Sequence, residues 1–157
     1  MRTIKTVLVG GTALFLTLAA LGNITMPDVG IGAVKTAVGM ETTFKHPAAM
    51  WRAISNPVWV YAIFGVIVLT ELSAAVLCWM GTFQMWAARR GGDFYRAAST
   101  ARIGLGVTAA LYFVGWLVIC SEWFEMWQSQ QLNVLPDAFR IFGSAMLILL
   151  LVNEKEG

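Results

Sequence analysis

The chain has 157 residues, of which 58% are hydrophobic and 13% charged, with a formal net charge of +2, and its mean hydropathy is +0.69. An ordinary soluble domain carries about 25% charged residues, and a domain this small has too little interior to hide so much apolar surface from water. A soluble globular protein is therefore excluded, and so weak a positive charge gives nucleic acid no footing.

A helix rises about 1.5 Å per residue, so about 20 mostly apolar residues cross a hydrocarbon core of about 30 Å. The first such stretch covers 4–24. Arg2 and Lys5 ahead of it, and the small residues at Ala20-Leu21-Gly22, also fit a secretory signal peptide, although the apolar run is long for one. A loop over 26–56 follows. Met26-Pro27-Asp28 predicts a turn there, and Gly30, Gly32 and Gly39 predict an irregular path. Pro47 suits the start of a short helix over 48–54, with Met50, Trp51 and Ile54 on one face against the membrane surface. Asn56-Pro57 opens the second apolar stretch, 58–80. The loop 87–101 turns at Gly91-Gly92. The third stretch is 103–123, and the fourth is 134–152, cleanly apolar only from Ile141. The expectation is one all-α membrane domain over 1–157, a four-helix transmembrane bundle.

The basic residues orient it. Of the eleven Lys and Arg residues, seven (Arg2, Lys5, Arg89, Arg90, Arg96, Arg102 and Lys155) fall on one side. Lys35, Lys45 and Arg52 fall on the other, and Arg140 lies within the fourth stretch. The richer side is the cytoplasmic one by the positive-inside rule, which puts both termini in the cytoplasm and the 26–56 loop outside. Trp59, Tyr61, Trp79, Trp86, Trp123 and Trp127 mark the ends of the second and third stretches, where amphipathic rings prefer to lie. Trp116 is the exception, inside the third. Small residues suggest contact faces: Ala74, Ala75 and Cys78 beside Glu71, and Ala101, Gly104, Thr108 and Gly115 in the third stretch. This topology places Cys78 and Cys120 toward opposite ends of the membrane, too far apart for a disulfide.

Charges within lipid are the strongest functional signal, because each costs about 2.5–3.5 kcal/mol on insertion scales. Glu71 in the second stretch is the clearest, with Thr70 and Ser73 beside it and Tyr112 at a similar depth in the third. They read either as a proton or cation site or as a hydrogen-bonded pin between helices. Glu122, Glu125 and Arg140 form a second candidate, an outer ion pair or an acidic mouth. Its expected geometry is Arg140 against one of the two glutamates, since a short connection makes the last two helices antiparallel neighbours, so Arg140 is expected to matter more for folding than Arg52. The single histidine, His46, cannot supply a bis-histidine haem, and a Met/His pair would need Met26, Met40 or Met50. No nucleophile with a base, phosphate loop or metal spacing is present, so no catalytic residue, cofactor or metal is expected.

The run Ser121-Glu122-Trp123-Phe124-Glu125-Met126-Trp127-Gln128-Ser129, with Asn133 and Ala138-Phe139-Arg140 beyond it, resembles the signature of a family of bacterial predicted small integral membrane proteins. Met40-Glu41-Thr42-Thr43-Phe44, Trp51-Arg52-Ala53-Ile54 and Glu71 are similar to that family as well, so the likeness covers nearly the whole chain. The chain departs from it after Ser129, where Gln131-Leu132-Asn133-Val134 stands in place of the family's Asn-Gly-Gln. The resemblance implies four spans in a bacterial cytoplasmic membrane and no established activity.

Three function classes remain: a structural or accessory subunit of a membrane assembly, a small oligomeric transporter or ion or proton conduit using Glu71, and a membrane enzyme or electron carrier. The expected partners are the bilayer and either another protein or further copies of the chain. The topology has a direct test. In a background lacking Cys78 and Cys120, an impermeant thiol reagent applied to intact cells is expected to label Lys35→Cys and spare Arg90→Cys. The reverse pattern means the topology is inverted.

Overall fold

The computed structural model describes residues 1–154; Lys155, one of the basic residues used to orient the chain, lies outside them. Helix is the only regular structure among the described residues. In chain order the elements are α1 (Arg2–Thr25), α2 (Pro27–Val38), α3 (Pro57–Ala88), α4 (Phe94–Ala97), α5 (Ser99–Ala110) and α6 (Leu135–Asn153). α5 runs on without a break as a π-helix, Leu111–Trp123. Four helical rods are long and apolar enough to cross a membrane: Arg2–Thr25, Pro57–Ala88, Phe94–Trp123 and Leu135–Asn153. This is the all-α four-helix architecture that the apolar stretches predict. Both cysteines are free thiols.

The rods pack in a ring. α1 lies on α3, α3 on α5, and α5 with its π-helical extension on α6, which returns to touch α1. The core is built from small and aliphatic residues, among them Ala13 and Leu16 of α1, Ala74 and Cys78 of α3, and Ala101 and Leu105 of α5. Lipid tails are as apolar as leucine, so close backbone approach and dispersion contacts, rather than hydrophobic exclusion, hold such helices together. α3 and α5 approach closely. A Cβ on Gly81 would lie 2.5–2.6 Å from the backbone N and the Cα and Cβ of Ala101, and one on Gly104 would lie 2.7 Å from Cys78 Sγ. Cys78, Ala101 and Gly104 of the expected small faces lie in this contact, whereas Gly115 does not.

The two ends of the bundle differ. At the terminal end, Lys5 Nζ donates to the carbonyl of Glu154 at 3.0 Å, Tyr95 Oη to Asn153 Oδ1 at 3.5 Å, and the Arg2 guanidinium lies 5.4 Å from the Phe94 ring centroid. The first and last helices are thereby fastened to the α4 turn. The opposite, loop end carries residues 26–56 and the 124–134 connection.

The loop departs from its expected irregular path. Residues 27–38 form α2, because Pro27 supplies a preset first turn, Asp28 sits where the helix dipole favours an anion, and Lys35 sits in the last turn. The glycines Gly30 and Gly32 are outweighed by an apolar face, Val34, Ala37 and Val38, buried against α3. The short helix expected over 48–54 shrinks to a single 3₁₀ turn, Met50–Arg52. Met50 and Ile54 pack inward on a second small core around Val34, Val38 and Val60, whereas Trp51 points away. The three residues do not share a membrane-facing side, because only a continued α-helix would align them. The π-helix is a further departure; its apolar sequence carries no signal that separates it from an α-helix.

The close approach predicts a specific sensitivity. Gly81→Ala is expected to destabilise the fold by about 1–3 kcal/mol, the range typical of overpacking, and so to lower the thermal midpoint in detergent. Gly106→Ala, where an added Cβ meets nothing within 4 Å, is expected to leave it unchanged or raise it slightly. Circular dichroism melts of the two variants check this.

Candidate functional site

Glu71 sits midway along α3 and is 5% exposed. Its Oε2 accepts a hydrogen bond from Asn23 Nδ2 at 2.9 Å, and its Oε1 receives the Tyr112 hydroxyl at a longer 3.4 Å. α1, α3 and the π-helix thus meet on one carboxyl group. Tyr112 was expected there from its depth in the third stretch, but Asn23 was not. Its signal was present, since it is the only side-chain amide in the 4–24 stretch. The neighbouring hydroxyls take no part. Thr70 Oγ1 and Ser73 Oγ each donate at 2.7 Å to carbonyls of their own helix, those of Val66 and Leu69.

The second assembly caps the loop end. Phe124 and Glu125 end the π-helix, and Glu125 adopts a left-handed conformation (φ 52°) that folds the chain back over the 40–52 segment. Arg52 Nη2 meets Glu125 Oε1 at 2.9 Å, with both side chains partly buried. Arg52 Nη1 donates to the carbonyl of Trp123 at 3.1 Å, and the guanidinium lies 5.6 Å from the Trp123 ring centroid. Glu125 Oε2 accepts from Gln128 Nε2 at 2.9 Å, Gln128 Oε1 accepts the Phe44 N–H at 2.9 Å, and the Thr42 and Ser129 hydroxyls lie 2.7 Å apart. Met40 (φ 52°) and Lys45 (φ 54°) are left-handed as well. Each such non-glycine residue costs on the order of 1–3 kcal/mol and persists only where its surroundings hold it. Here the surroundings are the network itself.

The expected pairing of Arg140 with Glu122 or Glu125 is not what forms. Arg140 lies on the exposed face of α6 and pairs with Asp137 one turn earlier at 3.0 Å, their side chains 74% and 63% exposed. Glu122 accepts the Ser121 hydroxyl at 2.8 Å. The neighbouring helices are antiparallel as expected, but the left-handed turn at Glu125 carries its carboxylate toward Arg52 and away from α6. His46 Nδ1 accepts from the Ala48 N–H at 3.3 Å. Among the described residues no group of three or more His, Cys, Asp or Glu side chains is placed to hold a metal ion.

The stretches joined in the cap, 40–44, 51–54 and 121–129, are among those that carry the family likeness. The family described as predicted small integral membrane protein (DUF2165) matches residues 1–155. The chain belongs to that family. No curated protein and no solved structure matches it. For this member of the DUF2165 family, then, the signature run is a structural join: it supplies the glutamate, glutamine and serine that fasten the first loop. The membership also establishes an integral membrane protein without assigning an activity.

The cap reverses the expected ranking of the arginines. Arg52→Ala leaves a partly buried Glu125 without its cation and is expected to cost about 1–3 kcal/mol. Arg140→Ala removes an exposed pair and is expected to cost no more than about 1 kcal/mol. Thermal midpoints in detergent compare the two, and an Arg140→Ala effect equal to that of Arg52→Ala would contradict the assignment.

Proposed function

We propose that this chain is a non-catalytic structural or accessory subunit of a larger assembly in the bacterial cytoplasmic membrane, with both termini and the 87–101 loop in the cytoplasm. The placement of Lys and Arg supports the orientation. The observation that carries the functional reading is the cap. Its charged and hydroxyl groups are turned on one another, while Phe44 and Trp51 are each 73% exposed and Trp127 is 54% exposed. Phe44 and Trp127 stand edge-to-face at 6.3 Å, and Trp51 and Trp123 at 5.6 Å. Rings held on a cross-tied loop lose little freedom on docking, and tryptophan is among the residues that dominate interface energetics.

A second reading is an oligomeric proton or ion conduit. It rests on Glu71, the one acidic side chain that is buried among the described residues. Its contacts favour the first reading. Asn23 and Tyr112, from two other helices, are bonded to its two oxygens, which suits a cross-tie more than a group facing a path.

Purification in mild detergent followed by mass spectrometry separates the two. The subunit reading expects a stoichiometric partner that is lost from the Phe44→Ala/Trp51→Ala double variant while its melting curve stays close to that of the parent. It also expects Glu71→Gln to retain assembly and Glu71→Leu to weaken it. A homo-oligomer without a partner, whose ion flux in liposomes is abolished by Glu71→Gln, would overturn it in favour of the conduit.

A further inference from the structure

We propose that a cavity between the N-terminal half of α3 and the π-helix is a binding site for one acyl chain of a membrane phospholipid. The cavity measures about 370 Å³, and its wall presents no polar atom. Ile63 and Ile67 form one side, Leu111, Trp116 and Cys120 the other, and Phe124 closes it at the loop end. A buried water needs two to four polar partners, and apolar cavities stay dry. An empty void of this size would forfeit dispersion contacts along its whole lining. The occupant is therefore apolar.

Its source follows from where the cavity opens. Trp59, Val66 and Ile119 also line it, and all three are exposed on the outer surface of apolar helices of an integral membrane protein. The opening is continuous with the lipid-facing side, so hydrocarbon enters sideways from the bilayer. The size fits. A methylene group occupies roughly the space of a water molecule, about 30 Å³, so the cavity takes about a dozen chain carbons, the greater part of one acyl tail. The backbone supplies an independent observation. π-helix is rare beyond single turns and recurs at functional sites; in this chain it runs for 13 residues, and Leu111, Gly115, Trp116, Ile119 and Cys120 of it form one wall of the cavity. Gly115 lies in that wall, and a Cβ placed there would meet only Leu111 Cδ1, at 3.8 Å. The space is therefore kept open at a position where a side chain could have filled it.

The test uses the full chain in nanodiscs of phosphatidylglycerol and phosphatidylethanolamine, with a trace of phosphatidylcholine carrying a diazirine on its acyl chain. After irradiation, peptide mass spectrometry locates the adducts. Adducts are expected on Ile67, Leu111 and Cys120, and are expected to be lost in Gly115→Leu, whose side chain occupies the cavity. Labelling of Leu147, exposed on the outer face of α6, is expected to be unchanged. If Gly115→Leu does not fold, Ala62→Leu fills the same space from α3. Two results overturn the proposal: cavity residues that stay unlabelled while Leu147 is labelled, or cavity labelling that persists undiminished in a folded filling variant.

Discussion

The seating of α3 on α5 is the contact on which the rest depends. Gly81 lies against Ala101, and Gly104 against Cys78, with no room for one more carbon atom at either. In lipid no hydrophobic force compels two helices together, so this fit sets their separation and register. From that register follow the other features of the bundle. It brings Tyr112 opposite Glu71, and it holds α1 and α6 on the two flanks of the pair. Toward the loop end the helix in contact with α3 becomes a π-helix, and there the packing loosens enough to leave an apolar cavity. Tight packing at one end and open space at the other belong to the same pair of helices.

The polar groups are arranged by the same medium. A charge inside lipid is expensive unless its hydrogen-bonding capacity is used, and Glu71 meets that condition by drawing one donor from each of two other helices. At the loop end the problem is different, because 26–56 must be folded down over the bundle with little core of its own. One arginine does most of this. Arg52 holds Glu125, reaches the carbonyl of Trp123 and stands over its ring, so the first loop and the end of the π-helix are held together. The three left-handed residues, Met40, Lys45 and Glu125, show what this closure demands of the backbone.

Together these features describe a small membrane protein whose chemistry is directed inward. Its buried carboxyl is tied to other helices, its cap charges are paired, and its free surfaces are lipid-facing aliphatic residues and a rim of aromatic rings.

The sequence by itself determined that this is a membrane protein with four helical spans, because apolar length and the placement of charge are properties of the chain read in one dimension. It also identified Glu71 and Tyr112 as a candidate pair, since depth along a helix can be counted in residues. It did not identify Asn23, because which face of α1 meets α3 depends on packing between helices and not on the count. It pointed to the wrong arginine, Arg140 in place of Arg52, as the partner of Glu125. Both lie near the same end of the bundle, and the choice was made by one left-handed residue that turns the chain. α2 was hidden for a similar reason: its glycines argued against a helix, and only burial of Val34 and Val38 against α3 outweighed them. The π-helix and its cavity left no trace in composition, because an apolar run satisfies lipid equally well in either coil. Only contact with the neighbouring helices decides which one forms.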